Sequence, residues 1–392
     1  MDSEWETVSL EKFVSIQRGH DLPTKDRKDG SVPVMGSSCI TGWHNKTKCN
    51  GPGVTIGRSG ASIGNVCYQE DDFWPLNTTL YVTDFKGNDE RYAYFALSSL
   101  QLERFNSGTA QPSLNRNYIS HVKVPCPPLQ TQKRIANILG VFEDKVDANL
   151  EMNATIESLV RSIFKSDFHN FGDNFSLNDA SLSEIPRDWK KSTLGDVMEK
   201  ITDAVDPDEM PNTTPYIGLG DMPKKSISLN DWGIAEEVSS RKYKFRSGDI
   251  LFGRLRPNFC KVGIAPVTGI SSTDIQIIRP KKGKIWREFL LFHLTDNDFI
   301  NYCDQLATGT RMPRVSWDDM CDYPILIPPV ERVEKFHENT SPIISMVTNN
   351  IQEAKTLESM KNTLHPNLIS GKLGTERLDL EKLGCTQRNV TE

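Results

Sequence analysis

The sequence of 392 residues predicts a mixed α/β (α+β) fold, in which two globular domains are joined and separated by an antiparallel pair of long coiled-coil helices. Three observations predict this fold. The chain contains an internal repeat, each copy of the repeat ends in a long heptad pattern, and strand-like runs with turns precede each pattern. The length also exceeds what one compact domain usually holds, which favours two domains.

The internal repeat is clearest when the second half is aligned on the first at an offset of 201 residues. Gly-Thr-Ala-Gln-Pro at 108–112 then falls on Gly-Thr-Arg-Met-Pro at 309–313. The alignment continues without a gap until Thr-Ile-Glu-Ser at 155–158 falls on Thr-Leu-Glu-Ser at 356–359. Such a series indicates duplication. Two duplicated halves joined by antiparallel helices approximate a two-fold axis, so we expect a pseudo-two-fold internal repeat.

Each predicted helix follows a Pro-Pro pair, which a helix accepts only before or at its first turn. Apolar residues then recur every seven positions over about four heptads, as in a coiled-coil seam. An antiparallel pairing within one molecule satisfies both seams. The seam positions are Ile135, Phe142, Asn149, Ile156 and Ile163 in the first helix, and Phe336, Ile343, Asn350, Leu357 and Leu364 in the second.

Polar and proline residues interrupt these patterns. Asn149 and Asn350 occupy equivalent seam positions, where each either fixes the register of the pair or is tolerated with partial solvation. Pro342 predicts that the second helix restarts with Ser341 as its cap, and Pro366 predicts that this helix ends near His365.

The globular halves show short β-rich runs at 80–83, 249–252 and 274–278, and helices are predicted at 90–105 and 286–306. The predicted boundaries are a first globular domain at 1–128, a first spacer helix at 129–171, a second globular domain at 172–329, a second spacer helix at 330–373, and a C-terminal tail at 374–392.

The sequence shows no motif for catalysis or metal binding. The eight cysteines contain no Cys-x-x-Cys pair, so a disulfide framework or a zinc site is not expected, and a reducing cytoplasm is the simplest location. The seven histidines lack metal-ligand spacing. No apolar run is long enough for a membrane helix. We therefore predict no catalytic residue, no metal site and no membrane partner.

Charge is segregated along the chain, although the net charge is −6. The segment 241–287 holds 12 basic and two acidic residues, and Phe245, Phe252, Phe259 and Trp286 interleave them. This pattern favours a basic face that binds nucleic acid. The alternative is a set of solvated strand edges and loops.

The recurring Gly-Thr-x-x-Pro segment is a second candidate for nucleic-acid contact. Arginine usually reads guanine, and asparagine or glutamine reads adenine. The alternative is a plain glycine turn capped by polar residues. The predicted DNA-binding residues are Arg58, Gln111, Asn115, Arg116, Arg254, Arg256, Lys261, Arg311 and Arg314.

These motifs, in this order and twice over, resemble the specificity subunit of type I restriction-modification systems, and the resemblance covers residues 5 to 373. One departure is Val-Glu-Arg-Val at 330–333, where a second Pro-Leu-x-x-Gln is usual. The resemblance is carried by the Trp-x-x-x-x-Leu openings, both Gly-Thr-x-x-Pro segments, and the motifs at 57–64, 127–132, 248–257 and 368–373.

The resemblance implies that each half is a target-recognition domain that reads one part of a split double-stranded DNA site. The paired helices then act as a ruler and dock two methyltransferase (modification) subunits, which carry S-adenosylmethionine, while motor-nuclease (restriction) subunits join for restriction. The specificity subunit itself is neither catalytic nor a cofactor carrier. Two rival hypotheses are a two-module scaffold that does not bind DNA and a diverged restriction protein with its own catalytic site.

Overall fold

The computed structural model describes residues 5–108, 111–169, 185–186 and 188–375. The chain forms two compact units, one of Met1–Lys145 with Leu357–Glu392 and one of Val146–Thr356. Most of the predicted C-terminal tail and the predicted end of the first spacer helix lie outside the described residues.

The first unit contains short strands arranged in three sheets. These strands are β1 Glu6–Ser9, β2 Ser15–Arg18, β3 Val32–Gly36, β4 Cys39–His44, β5 Gly53–Gly57, β6 Val66–Gln69, β7 Trp74–Pro75, β8 Thr79–Asp84 and β9 Lys123–Cys126. The strand orders are β1-β9, β2-β8-β5-β6 and β4-β3-β7, and only the β3-β7 pair among these is parallel.

The second unit repeats the first two of these sheets. Its strands are β10 Lys190–Thr193, β11 Met198–Ile201, β12 Ala204–Val205, β13 Pro215–Ile217, β14 Gly233–Ile234, β15 Lys242–Phe245, β16 Ile250–Gly253, β17 Val262–Ile264, β18 Gly269–Ser271, β19 Ile275–Pro280 and β20 Pro324–Ile327. The orders β10-β20 and β11-β19-β16-β17 match β1-β9 and β2-β8-β5-β6, and a third sheet has the order β12-β15-β18-β13-β14. The three strand runs predicted from sequence are confirmed as β8, β16 and β19.

The helices are dominated by two of 40 residues each. The helices are α1 Leu10–Phe13, α2 Glu90–Ser98, α3 Arg116–Ile119, α4 Leu129–Phe168, α5 Arg287–Leu294, α6 Asn297–Leu306, α7 Trp317–Cys321 and α8 Val330–Ile369. The two helices predicted in the globular halves are each shorter than expected. Gln101 adopts a left-handed conformation after α2, and the Asp296 side chain caps α6 by accepting a hydrogen bond from the Asp298 N–H, which separates α6 from α5.

In the first unit, the core includes the N-terminal part of α4 and the C-terminal part of α8. Ile135 and Phe142 of α4 are buried with Leu368 and Ile369 of α8, against the buried face of α2. Leu357 and Leu364 are half-buried and pack against this core. Here the predicted seam therefore forms part of a domain core.

In the second unit, the core includes the C-terminal part of α4 and the N-terminal part of α8. Ile156 and Phe336 are buried, whereas Ile163 and Ile343 are half-buried at the edge of the core. The most buried positions of α8 here include Val333, Phe336, Ile344, Val347 and Ile351. Val333, Thr340 and Val347 keep the seven-residue spacing. Phe336 and Ile344 are eight residues apart, so the second row shifts by one position, as the 3.6-residue period of a straight helix requires.

A polar layer joins the two helices within the second unit. Asn149 Nδ2 donates to Glu353 Oε2 at 3.0 Å, and Asn350 Nδ2 donates to Asn153 Oδ1 at 2.8 Å. Asn153 Nδ2 also lies 3.4 Å from the Val347 carbonyl oxygen. As the residue number increases along α4, the residue number of its partner on α8 decreases, which confirms that the two helices are antiparallel. Of the two roles open to Asn149 and Asn350, these bonds favour the register role.

The prediction that the second helix restarts at Pro342 and stops before Pro366 is wrong, because α8 continues through both prolines. A helix proline leaves the carbonyl four residues earlier without its donor. Those carbonyls belong to Glu338 and Asn362, which are exposed, so water can satisfy them. Burial of Leu368 and Ile369 then holds the last turn in helical form.

The contacts at the start of α4 explain the Pro-Leu-x-x-Gln motif, and those at the start of α8 explain its replacement there. In α4, Gln132 is buried, its Nε2 donates to Asn88 Oδ1 and to the Pro127 carbonyl, and its Oε1 accepts from the Asp89 N–H. At the equivalent position of α8, Val333 is fully buried in the core. Apolar packing replaces the glutamine network there, and the departure from the motif leaves the start of the helix unchanged.

Cysteine pairing differs from the sequence prediction. Cys39 at the start of β4 and Cys67 in β6 form a disulfide, with Cα atoms 5.7 Å apart. The two residues are 28 positions apart and meet only through the sheet packing, so no local spacing could reveal the pair. None of the described helices is long and apolar enough to span a membrane.

We predict that Asn153→Ala lowers the free energy of unfolding by about 1–3 kcal/mol, because it removes a buried side chain that accepts from the half-buried Asn350 amide. Thermal or denaturant unfolding of the full chain measures the change. Asn362→Ala, at an exposed position of α8, is the matched control. Equal stability of the two variants would contradict a stabilising role for the polar layer.

Candidate nucleic-acid interface

In both units, the same backbone hydrogen bonds join the segment after a buried strand to the end of the Gly-Thr-x-x-Pro segment. We call these two joined segments the backbone frame. In the first unit, the Leu114 N–H donates to the Arg58 carbonyl at 2.8 Å, and the Gly60 N–H to the Pro112 carbonyl at 3.0 Å. In the second, the Val315 N–H donates to the Arg254 carbonyl at 3.1 Å, and the Arg256 N–H to the Pro313 carbonyl at 2.8 Å. Arg254, Arg256 and Arg314 are therefore the counterparts of Arg58, Gly60 and Ser113.

Buried strands place this frame. Arg58 follows β5 and Arg254 follows β16, and both strands are fully buried. The Arg58 N–H donates to the Thr78 carbonyl and the Arg254 N–H to the Asp274 carbonyl, just before β8 and β19. Gly57 is required where β5 ends, because a Cβ atom there would lie 2.0 Å from the Ser62 carbonyl oxygen.

In the first unit, the frame forms one wall of an open cleft of about 660 Å³. Three arginines and one aspartate line it, so it is basic. Among the described residues no carboxylate pairs with Arg58, whose Nη1 donates only to the Asn77 carbonyl at 3.3 Å. The lining residues are Gln17, Arg18, Gly19, His20, Asp21, Arg58, Leu80, Ser107, Ser113, Leu114, Asn115 and Arg116.

The other predicted residues of the first unit have different surroundings. Asn115 lines the cleft, but its Oδ1 accepts from the Asn117 N–H and caps α3. Arg116 is exposed, and its Nη1 lies 3.5 Å from the Ile16 carbonyl oxygen. Gln111 is exposed and is not among the cleft-lining residues. Its neighbours 109–110 lie outside the described residues.

The sequence analysis missed the part of the cleft that follows β2. Arg18 is exposed there, and Asp21 accepts a hydrogen bond from Asn77 Nδ2. Burial, followed by repulsion from Lys48, lowers the pKa of His20, so this ring is neutral at physiological pH. The glycine at position 19 was the one sequence signal for this segment. The structure shows why it is needed, since a Cβ atom there would lie 2.1 Å from the Leu76 carbonyl oxygen.

In the second unit, one carboxylate holds two of the predicted arginines. Arg314 Nε lies 2.8 Å from Asp274 Oδ1 and Arg314 Nη2 lies 3.0 Å from Oδ2, while Arg254 Nε lies 3.5 Å from Oδ1. The hydrogen bonds from Arg314 lower the pKa of Asp274, so it stays ionised. The cluster carries one net positive charge.

Arg256 and Arg311 remain at the surface of the same unit. Arg256 is exposed, its guanidinium lies 6.0 Å from the ring centre of Phe259, and its Nη2 donates to the Arg311 carbonyl at 3.3 Å. Lys224 Nζ lies 4.1 Å from the same ring centre. Lys261 instead donates to the Leu219 carbonyl, and burial lowers its pKa.

In the basic stretch 241–287, the strands and most of the aromatic residues are buried, whereas seven of the 12 basic residues are exposed. Asp249, one of its two acids, binds Arg279 through bonds of 2.6 and 2.7 Å, as Asp274 binds Arg314. Phe245, Phe252 and Trp286 are buried in the cores, and only Phe259 among the interleaving aromatics is half-buried. Within the described residues, no group of three or more metal-binding side chains is placed to hold an ion.

Comparison with known proteins gives one consistent result. The family described as type I restriction modification DNA specificity domain matches residues 2–158 and again 186–361. The chain is 26% identical to the type I restriction enzyme EcoDI specificity subunit of Escherichia coli, over 97% of this chain and 94% of that protein. It is 23% identical to the MjaIX specificity subunit of Methanocaldococcus jannaschii, over 83% and 79%.

A solved structure shares the fold. The S subunit of a type I restriction-modification system from M. genitalium matches with a TM-score of 0.57 at 15% identity, over 94% of this chain and 96% of that one. At this identity the match supports the architecture alone.

We predict that Arg256→Gly leaves the free energy of unfolding unchanged or raises it by up to about 1 kcal/mol. The reason is that Arg256 has a left-handed backbone with φ of 50°, which glycine adopts without strain. The counterpart Gly60 has φ of 83°. The same substitution is expected to weaken binding to duplex DNA and to reduce its salt dependence by about one phosphate contact.

Lys86→Gly is the matched control, because Lys86 also combines a cationic side chain with a left-handed backbone, in the first unit. We expect it to leave DNA affinity unchanged. Identical DNA binding by Arg256→Gly and the unmodified chain, measured by salt titration, would exclude Arg256 from the interface.

Proposed function

This chain belongs to the family of type I restriction modification DNA specificity domains, and from that premise we propose that it is the specificity subunit of such a system. It reads an asymmetric, bipartite site in double-stranded DNA, and each globular unit reads one half. It directs methyltransferase subunits to that site.

The observation that carries this proposal is one backbone frame, present twice, with different side chains. Both frames place an arginine after a buried strand, at Arg58 and Arg254. The residue types at two further equivalent positions differ. Gly60 and Ser113 in the first unit correspond to Arg256 and Arg314 in the second. A shared scaffold with different donors and acceptors is expected to read two different base sequences.

The exposed cations supply the contacts that do not depend on sequence. Arg18 and Arg116 in the first unit, and Arg311 and Lys224 in the second, are exposed beside these frames. Phosphate contacts of this kind position a protein on the duplex, while base contacts specify the sequence. With a net charge of −6, the lone chain is expected to bind DNA modestly.

The long helices present apolar side chains to solvent, which suits a protein partner. Met152 and Leu159 of α4 are 47% and 49% exposed, and Met346 and Met360 of α8 are 46% and 43% exposed. We assign these surfaces to two docked methyltransferase subunits, which supply S-adenosylmethionine and the chemistry. Motor-nuclease subunits join the same complex for restriction. The chain itself acts without catalysis or a cofactor of its own, in the cytoplasm.

The two rival functions have weaker support. A scaffold without DNA binding does not explain why the family match falls on both units. A restriction protein with its own active site would need a catalytic cluster, and the polar residues around both frames serve as caps, ion pairs and surface cations.

The proposal is tested by mapping DNA methylation. The chain is co-expressed with the methyltransferase subunit of its system in a bacterial host that lacks DNA methylation, and modified bases are mapped genome-wide by single-molecule sequencing. The methyltransferase alone is the control. A split, asymmetric motif that depends on this chain supports the proposal, and methylation without a motif, or none at all, contradicts it.

We predict that replacing residues 1–128 by the same segment of a relative changes one half of the motif and leaves the other half intact, because each unit carries its own frame. The methylation map of the chimera measures this. A change in both halves would contradict independent reading.

We also predict that one extra heptad in α4, matched in α8 so that the pair stays in register, lengthens the unread spacer of the motif. Seven helical residues add about 10.5 Å, or roughly three base pairs. Methylation mapping of the variant measures the spacer. An unchanged spacer would argue against a ruler function for the helices.

A further inference from the structure

Asp274 stands directly before the buried strand β19 and lies beside two arginines. Its side chain is 20% exposed, and those of Arg254 and Arg314 are 32% and 35% exposed. The carboxylate fixes Arg314 through two hydrogen bonds and forms an ion pair of 3.5 Å with Arg254, and it leaves both arginines open to a ligand. The arrangement therefore suits recognition more than stability.

The hydrogen bonds of Arg314 leave one edge of its guanidinium free. Nε and Nη2 donate side-on to Asp274, and Nη1 donates to the Met312 carbonyl at 3.3 Å. A guanidinium has five N–H donors, so one N–H on Nη1 and one on Nη2 remain. These two are parallel when the Met312 carbonyl takes the Nη1 hydrogen on the Cδ side. This free edge is a fork that matches two adjacent acceptors.

The backbone of Arg314 is fixed on both sides. Its N–H donates to the Thr308 carbonyl at 2.9 Å, and its carbonyl accepts from the Thr308 N–H at 3.0 Å. A β-bridge also pairs Leu255 with Arg314. Because backbone and side chain are both held, Arg314 loses little conformational freedom when it binds.

We propose that Arg314 reads a guanine in the half-site of the second unit and that Asp274 is the positioning residue that orients it. The inference rests on the proposed function and names a base for one of its frames. Guanine offers O6 and N7 as adjacent acceptors in the major groove, which the free edge of Arg314 matches. Adenine offers N7 beside an N–H donor, which opposes the second N–H of the fork.

The first unit cannot form this arrangement. The counterparts of Arg314 and Asp274 are Ser113 and Thr78, as the shared backbone bonds define them. Neither side chain is charged, and Arg58 has no carboxylate partner among the described residues. Among the described residues of the two frames, the Asp-oriented arginine thus occurs in the second unit, and the guanine it reads belongs to one half-site.

The test compares Asp274→Asn with the unmodified chain, each co-expressed with the methyltransferase subunit and followed by methylation mapping. We expect one guanine position in one half-site to lose discrimination by roughly 5- to 150-fold, the value of a good bidentate base contact. The other half-site is expected to be unchanged. Binding to random-sequence duplex is expected to be equal or stronger, because a negative charge is removed.

Two further variants make the result specific. Asp304→Asn removes the same charge at an exposed position of α6 and is expected to leave the motif unchanged. Arg314→Lys keeps the positive charge without the planar fork, so it is expected to relax the same guanine position as Asp274→Asn. If Asp274→Asn fails to fold, the effect of Arg314→Lys on the same guanine position of the methylation motif tests the inference.

The outcomes are distinguishable. A split motif whose second half contains no guanine, or a guanine that both variants leave intact, overturns the inference and leaves the proposed function standing. Weaker methylation at every site, with the base preferences retained, identifies Arg314 as a phosphate contact and also overturns it. A wild-type chain that yields no motif overturns both.

Discussion

The apolar faces of α4 and α8 are the constraint on which the rest of the structure depends. The start of α4 and the end of α8 complete the core of the first unit, through residues such as Phe142 and Ile369. The end of α4 and the start of α8 complete the core of the second, through Phe164 and Phe336. A mutation on either helix face is therefore a mutation in a domain core, and its cost includes a cavity as well as a lost helix contact.

Both units share one backbone frame because the chain is duplicated, and the two frames present different surfaces because their side chains have diverged. The frame is made of backbone hydrogen bonds and buried strands, which tolerate exchange of the side chains that project from them. In the first unit Arg58 lacks an acidic partner among the described residues, and in the second Asp274 neutralises part of the charge. The same fold thus presents a loosely held arginine in one unit and an oriented pair in the other.

The sequence alone predicted the features of the structure that depend on a local pattern of residues. The repeat, the long helices, the three strand runs and the arginines after β5 and β16 follow from spacing alone. It was insufficient where distant groups meet. Cys39 with Cys67, and Asp274 with Arg314, are paired by sheet packing across 28 and 40 positions. The predicted restart at Pro342 and the predicted end before Pro366 were wrong because exposed carbonyls make these prolines tolerable. Three of the four interleaving aromatic residues proved to be core residues.

The measurement that tests the central claim most directly is a structure of the assembled complex on a duplex carrying its methylated motif. The account predicts that the segments after β5 and β16 face the two half-sites, with Arg58 within hydrogen-bond distance of the DNA and Arg314 within hydrogen-bond distance of a guanine base edge. A complex in which these two segments face away from the duplex, and other surfaces of the units contact the bases, would contradict it.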